Sequence, residues 1–209
     1  PWRTSSHDGT GRRDRLGPRV RRALVLAATM TTLAVVIPTT GRDTLERAVQ
    51  SAKACADQVI VVADGCPDIP ADLHVNCGAP GLARNAAALH IWTDWVGFLD
   101  DDDVLVPDVY RAAIEEHADA ADLIVQRMSH PELGFIPRLG MEVELFHGNV
   151  GISFALRASL FRDHPFIAGP PLTMRGEDYE LIRRLRDQDR RVVVSGAVGY
   201  VVNPQEVPA

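Results

Sequence analysis

Trp95-Val96-Gly97-Phe98-Leu99-Asp100-Asp101-Asp102-Asp103 joins an apolar run to four consecutive carboxylates, and the chain continues Val104-Leu105-Val106-Pro107. The apolar half reads as a buried strand. The acidic half is poor strand material, and four adjacent Asp side chains repel one another, so folding alone gains nothing from them. A divalent cation removes that penalty, because hard ions such as Mg²⁺ or Mn²⁺ seek carboxylate oxygens and share them with a diphosphate. A solvated acidic turn is the plainer reading of a charge run, and the rest of the chain decides between the two.

Working outward, residues 33–37 form a short apolar run closed by Pro38-Thr39-Thr40-Gly41-Arg42. Asp43-Thr44 opens a helix predicted to reach Ala54, with Leu45, Ala48, Val49 and Ala52 on one face. Residues 58–63 read as a second buried strand ending at Asp64-Gly65, and His74-Val75-Asn76 as a short third. Gly78-Ala79-Pro80-Gly81 leads into a small-residue helix predicted over 82–91. A strand over 96–99 follows, then a helix beginning at Pro107-Asp108 and a strand at Leu123-Ile124-Val125. This β-α-β order with nearly continuous apolar strands predicts an α/β, Rossmann-like domain whose mostly parallel central sheet is flanked by helices. Such sheets bind ligands beyond the carboxyl ends of their strands, where Thr39 to Arg42, Asp64-Gly65 and Asp100 to Asp103 all fall.

Past residue 127 the pattern changes to a small mixed or antiparallel C-terminal part. Residues 128–140 read as loop, 143–146 and 150–157 as strands, and Ala168-Gly169-Pro170-Pro171-Leu172-Thr173 as a mobile loop. Gly176-Glu177-Asp178 opens a helix predicted to reach Asp189, with Tyr179, Ile182 and Leu185 as its buried stripe. Strands over 192–194 and 199–202 close the pattern.

A length of 209 residues with 46% apolar content suits one domain with a sizeable core. The formal charge of −6 conceals an asymmetry, since residues 1–22 carry +5 and leave −11 to the remainder. An acidic body excludes nucleic acid as a partner, which needs a basic footprint. Cys55, Cys66 and Cys77 fit no zinc spacing and are expected as reduced, mostly buried thiols of a cytoplasmic protein. Arg21-Arg22 before Ala23-Leu24-Val25-Leu26-Ala27-Ala28 resembles the start of a signal peptide, but no small-x-small cleavage site follows. The apolar run is also too short for an integral membrane anchor. We therefore expect residues 1–30 to be a disordered or non-native N-terminal extension, with Met30 the natural start and 31–205 the single domain.

Five motifs stand in register: Val35-Val36-Ile37-Pro38-Thr39-Thr40-Gly41-Arg42, Val61-Val62-Ala63-Asp64-Gly65, Gly81-Leu82-Ala83-Arg84-Asn85, the Asp100 to Asp103 run and Gly176-Glu177-Asp178. Together they resemble family 2 glycosyltransferases, inverting enzymes of the GT-A fold that use nucleotide-diphosphate sugars. The resemblance spans residues 33 to about 202.

What the resemblance implies can be set beside the chemistry of each residue. Asp100-x-Asp102 looks like the family's D-x-D motif, with Asp102 a direct metal ligand and Asp100 touching the ribose or the metal through water. A leaving nucleoside diphosphate gains negative charge, and Mg²⁺ or Mn²⁺ on its phosphates stabilises it without proton transfer. Asp101 is carried as a substrate-side neighbour, and Asp103 as a cap or a ligand of an outer water. Asp178 matches the family's general base, which takes the acceptor's proton on the face opposite the leaving group. The same Glu-Asp pair also suits a helix start through capping and the dipole. Glu177 is expected to contact the acceptor or brace the loop. Pro38, Thr39, Arg42 and Asp64 belong to the expected nucleotide pocket. Relatives carry Asp-Asp-Gly where this chain has Ala63-Asp64-Gly65, so the preference for uridine does not transfer. Arg84 resembles the residue near the diphosphate or base, for which a fixed guanidinium is suited. His147, in His147-Gly148-Asn149, is expected at the donor sugar or acceptor, while His90, Trp92 and Trp95 read as core or rim.

The implied activity is metal-dependent, inverting transfer of a sugar from a nucleotide-diphosphate donor to a hydroxyl acceptor, whether a small molecule, a glycan carrier or a peptide. A sugar-nucleotide nucleotidyltransferase is the enzymatic alternative, but Pro38-Thr39-Thr40-Gly41-Arg42 lacks the glycine density of that class and the only lysine is Lys53. A non-catalytic nucleotide-sugar-binding protein is the other, against which the intact Asp102 and Asp178 speak.

Overall fold

The computed structural model describes residues 31–138, 145–167 and 176–204. The expected extension over 1–30, the mobile loop at 168–173, the strand start at residues 143 and 144 and the stretch 139–140 lie outside these residues.

The elements that position the site begin with the parallel half of the sheet. β1 (Leu33–Thr39) pairs in parallel with β2 (Gln58–Asp64) on one side and with β4 (Trp95–Phe98) on the other, and β3 (Leu73–Val75) extends the β2 side. The register is set by apolar partners: Val36 stands opposite Ile60 and Phe98. β1 is buried along its whole length, as a strand covered on both faces must be. Pro38 is tolerated within it because Val36 gives its carbonyl to Leu99 on the β4 side, and residue 38 faces that same side where β4 has already ended. Chain order crosses over between β1 and β4. The carboxyl ends of those two strands, Thr39 and the acidic run, therefore flank the crevice in which open α/β sheets bind ligands.

The second half is mixed. β8 (Phe154–Arg157) runs antiparallel to β4, and β6 (Leu123–His130) antiparallel to β8. β9 (Val192–Val201) is parallel to β6, and β5 (Val104–Leu105) closes the order antiparallel to β9. β7 (Gly134–Ile136) forms a hairpin with the end of β6, where the sequence pattern predicts loop. Ser129 and His130 are too polar to register as a strand, yet they pair with β7 across the hairpin. Only 154–157 of the predicted strand over 150–157 pairs, and the two predicted closing strands are one, bent by register shifts around Arg127.

Five helices cover the described sheet: α1 (Leu45–Lys53), α2 (Pro80–Ala86), α3 (Pro107–His117), α4 (Ala158–Asp163) and α5 (Glu177–Arg186). α2 is shorter than predicted and starts earlier. Pro80 supplies its first turn, and after Ala86 the chain turns so that Leu89 is exposed rather than forming an apolar stripe. The predicted stripe of α5 is corrected too: Leu181, Ile182 and Leu185 are buried, whereas Tyr179 is half-buried beside the cleft. The three cysteines are free and half-buried rather than buried. Trp95 belongs to the core, and Trp92 is exposed.

Candidate active site

β4 delivers the acidic run to the crevice. Beneath it, Phe98 makes edge-on contacts with Phe154, Phe161 and Phe166 at centroid distances of 5.6, 5.2 and 5.1 Å, which fixes the strand's exit. The four carboxylates then diverge. Asp100 accepts from Arg84 at 2.5 Å, and its own N–H donates to the Tyr200 hydroxyl at 3.1 Å. Asp101 is buried and accepts from the Thr39 hydroxyl at 2.6 Å. Asp102 is partly exposed and pairs with Arg42. Asp103 is buried, accepting from the Tyr200 hydroxyl at 2.7 Å and from Asn203 N–H at 2.8 Å. Burial pushes the Asp103 carboxyl up to about 7. Asp103 therefore caps the segment after β9.

A cleft of about 470 Å³ opens between the end of β4, the start of α2, the segment before β8 and the start of α5. Of the residues anticipated from sequence it brings together Arg84, Asp100, His147, Glu177 and Asp178. Gly176 adopts φ +96°, a left-handed conformation suited to glycine, and so turns the chain to place Glu177 and Asp178 in the first turn of α5. Asp178 accepts from the Tyr179 N–H at 2.8 Å. Its carboxyl is raised by burial, an effect opposed by that N–H and by the nearby Arg84 charge. Glu177 is buried against Arg84 at 3.0 Å, which makes it a brace, and its carboxyl is likewise raised by burial. His147 stands exposed on the rim, its ring edge-on to Tyr179 at 6.3 Å.

The other anticipated residues sit outside the lining of this cleft. Pro38 is buried in β1, and Thr39 is committed to Asp101. Arg42 contributes instead to a groove beside α1, although its guanidinium reaches across to Asp102. Asp64 is tied to the loop after β3, accepting from Cys77 N–H at 2.8 Å and Gly78 N–H at 3.2 Å. Sequence reasoning missed Tyr200, Met128 and Gly151. A side chain at Gly151 would meet Met128 and approach within 3.8 Å of Asp178, so that glycine keeps the space in front of Asp178 open. No local signal marked it.

The donor set suits a hard cation held jointly with a ligand. Asp100 and Asp102 each commit one oxygen to an arginine, and neither second oxygen accepts a hydrogen bond from the described residues. No group of three or more His, Cys, Asp or Glu among the described residues could hold a metal alone, so phosphate oxygens and water would complete the shell.

The site is thus an acidic run at the crossover of an α/β sheet and a half-buried carboxylate on a helix start, lining one cleft. The family model for glycosyl transferase family 2 matches residues 73–183, and the chain belongs to that family. The match includes Arg84, the acidic run and Glu177-Asp178, while Thr39, Arg42 and Asp64 lie before it. No curated protein matches the chain. Among solved structures, S. aureus TarS 1-349 in complex with UDP-GlcNAc superposes with a TM-score of 0.62 at 20% identity, over 85% of this chain and 60% of that one. This chain thus spans about 60% of the length of that neighbour. Glucosyl-3-phosphoglycerate synthase from Mycobacterium tuberculosis, in complex with Mg²⁺ and UDP, superposes with a TM-score of 0.58 at 16% identity over 83% and 71% of the two chains. 4-Diphosphocytidyl-2C-methyl-D-erythritol synthase from Anaerococcus prevotii does so at 0.54 and 12% over 85% and 93%. At these identities the likeness is one of fold. No helix among the described residues is long and apolar enough to cross a membrane.

Proposed function

We propose that this chain transfers a sugar from a nucleotide-diphosphate donor to an acceptor hydroxyl, with inversion and with dependence on Mg²⁺ or Mn²⁺. The observation that carries the reading is that Asp100, at the end of β4, and Asp178, at the start of α5, line one cleft. In this reading Asp100 and Asp102 hold the cation, which when bound neutralises charge on the leaving diphosphate. Asp178 accepts the proton of the acceptor O–H as that oxygen bonds to the anomeric carbon. The bond from that carbon to the phosphate oxygen breaks, and nucleoside diphosphate departs with the electron pair. The raised carboxyl of Asp178 suits a base, because proton affinity nearer to neutrality strengthens the transfer.

Arg42, Thr39 and Asp101 form the base-side wall, with the Arg42 cation available to phosphate oxygens. Because Ala63 stands where relatives carry the first Asp, uridine, guanosine and thymidine donors all belong in a first screen. The UDP complexes of the structural neighbours make uridine the first to try. The acceptor is a hydroxyl compound reaching the rim near His147. A cytoplasmic location is part of the proposal, supported by the three free thiols.

Product analysis on a panel of nucleotide sugars with Mn²⁺ tests the reading. A transferase releases nucleoside diphosphate. Release of pyrophosphate from a sugar phosphate and nucleoside triphosphate would instead make the chain a nucleotidyltransferase. Binding without either product would make it a binding module.

A further inference from the structure

The Arg84 guanidinium is enclosed. Its side chain is 3% exposed, its Nη2 donates to Asp100 at 2.5 Å, its Nη1 donates to Glu177 at 3.0 Å, and it lies 5.5 Å from the centroid of the Phe166 ring. The two carboxylates come from elements far apart in the chain, separated from Arg84 by 16 and 93 residues. Its neighbour Asn85 secures the cradle from below. The Asn85 amide donates to Phe166 C=O at 2.8 Å and accepts from Phe166 N–H at 2.9 Å.

Stability alone does not account for this arrangement. A buried charged cluster usually gains little over apolar side chains of the same volume, and the Arg84 Nε is buried without a partner. Nor is the residue presented as a phosphate ligand. Both outer nitrogens already serve carboxylates, and almost none of the side chain is open to the cleft.

We propose that Arg84 is a positioning residue that ties the donor-side carboxylate Asp100 to the base-side pair Glu177-Asp178 and so fixes their separation across the cleft. This rests on the transferase reading above. It departs from the expectation that this arginine contacts the donor itself. A guanidinium is suited to the task because its planar fork sets two carboxylates at a defined angle, which the point charge of a lysine does not. Loosening it lets the helix carrying the base drift relative to the donor, and a misplacement of about 1 Å costs on the order of 10²-fold in rate.

The groups facing Asp178 are Glu177 on its own helix, Arg84 from α2 and Asp100 from β4, with Asp103 and His147 on the same cleft. Arg84 is the one cation among them that holds the Asp178 carboxyl down. Its removal should therefore move the acid limb of the rate profile to higher pH, which a general loss of packing would not do.

The test uses Arg84→Gln, Arg84→Lys and Glu177→Gln in the full chain, with UDP, GDP and dTDP plus Mn²⁺ as calorimetric probes and turnover on the matching nucleotide sugar. The expected result is nucleoside-diphosphate affinity within about 3-fold of wild type, turnover lower by about 10- to 100-fold in Arg84→Gln, partial recovery in Arg84→Lys, and an acid limb raised in Arg84→Gln. Affinity falling in step with turnover would make Arg84 a diphosphate contact and overturn the proposal, as would lost turnover with an unmoved acid limb. If Arg84→Gln does not fold by circular dichroism, Glu177→Gln decides by removing the charge of the same bridge from the helix side. Lowered turnover with affinity retained supports positioning, and unchanged turnover overturns it. Wild-type protein that neither binds a nucleoside diphosphate nor turns over a nucleotide sugar defeats the transferase reading itself.

Discussion

The Tyr200 hydroxyl donates to Asp103 Oδ2 at 2.7 Å across 97 positions of sequence, and so joins the last described strand to the end of the acidic run. The same oxygen accepts the Asp100 N–H, so one buried phenol holds both flanks of the turn. Asn203 N–H adds a second tie to Asp103. The acidic turn is thus built from two distant stretches of chain. Asp100 lines the cleft and Asp102 is partly exposed toward Arg42, while Asp101 and Asp103 are buried, Asp103 at the edge of the cleft.

Tyr200→Phe should cost about 1–3 kcal/mol, the penalty for leaving the buried Asp103 carboxyl and the part-buried Asp100 N–H short of a partner. Denaturant unfolding measures it. A variant with wild-type stability would mean that the turn is held by other contacts.

The parallel half of the sheet was legible because strands buried on both faces are nearly continuous apolar runs, as the interiors of β1, β2 and β4 are. The mixed half was less so. Ser129 and His130 look like loop until β7 is seen to satisfy them, and Ser195-Gly196 looks like a break although β9 passes through it. Of the proposed site, Asp100, Asp102 and Asp178 stand out in the sequence by motif and spacing. Tyr200 reads as one more aromatic in an apolar strand, since its partners lie about a hundred residues away. Arg84 carries no mark of burial, because a cation on a helix is buried only where the fold brings carboxylates to it from elsewhere.

Gly97 illustrates a constraint that sequence hides. A Cβ there would overlap the buried Tyr110 hydroxyl from α3. Gly97→Ala should destabilise by about 1–3 kcal/mol through overpacking and displace the end of β4 that carries Asp100. Tyr110→Phe should relieve part of that loss, since the overlapping atom is the hydroxyl oxygen and it has no hydrogen-bond partner. A double-mutant cycle by thermal unfolding checks the coupling, and strictly additive losses would reject it.

Asp102→Asn replaces a charged oxygen donor with a neutral one on the partly exposed side of the acidic turn that faces Arg42. Calorimetry with Mn²⁺ and a nucleoside diphosphate should show metal-dependent binding abolished, while unfolding stability changes little because the Arg42 partner is itself half exposed. Unchanged affinity would remove Asp102 from the cation site.

Asp178→Asn separates chemistry from binding. The amide keeps the shape of the carboxylate and can still accept the Tyr179 N–H, so the start of α5 should hold. Nucleotide affinity should remain near wild type, while transfer falls by about 10²–10⁴-fold, the range for loss of a general base. The pH dependence adds a signature with a definite sign. Burial raises the Asp178 carboxyl above the usual value of 3.8, so the wild-type rate should climb with pH along an acid limb displaced above that value, as the base loses its proton. In Asp178→Asn that limb should be absent. A variant that keeps both the limb and near-normal turnover would assign proton removal to another group on the cleft, and Glu177, also raised by burial, is the first to examine.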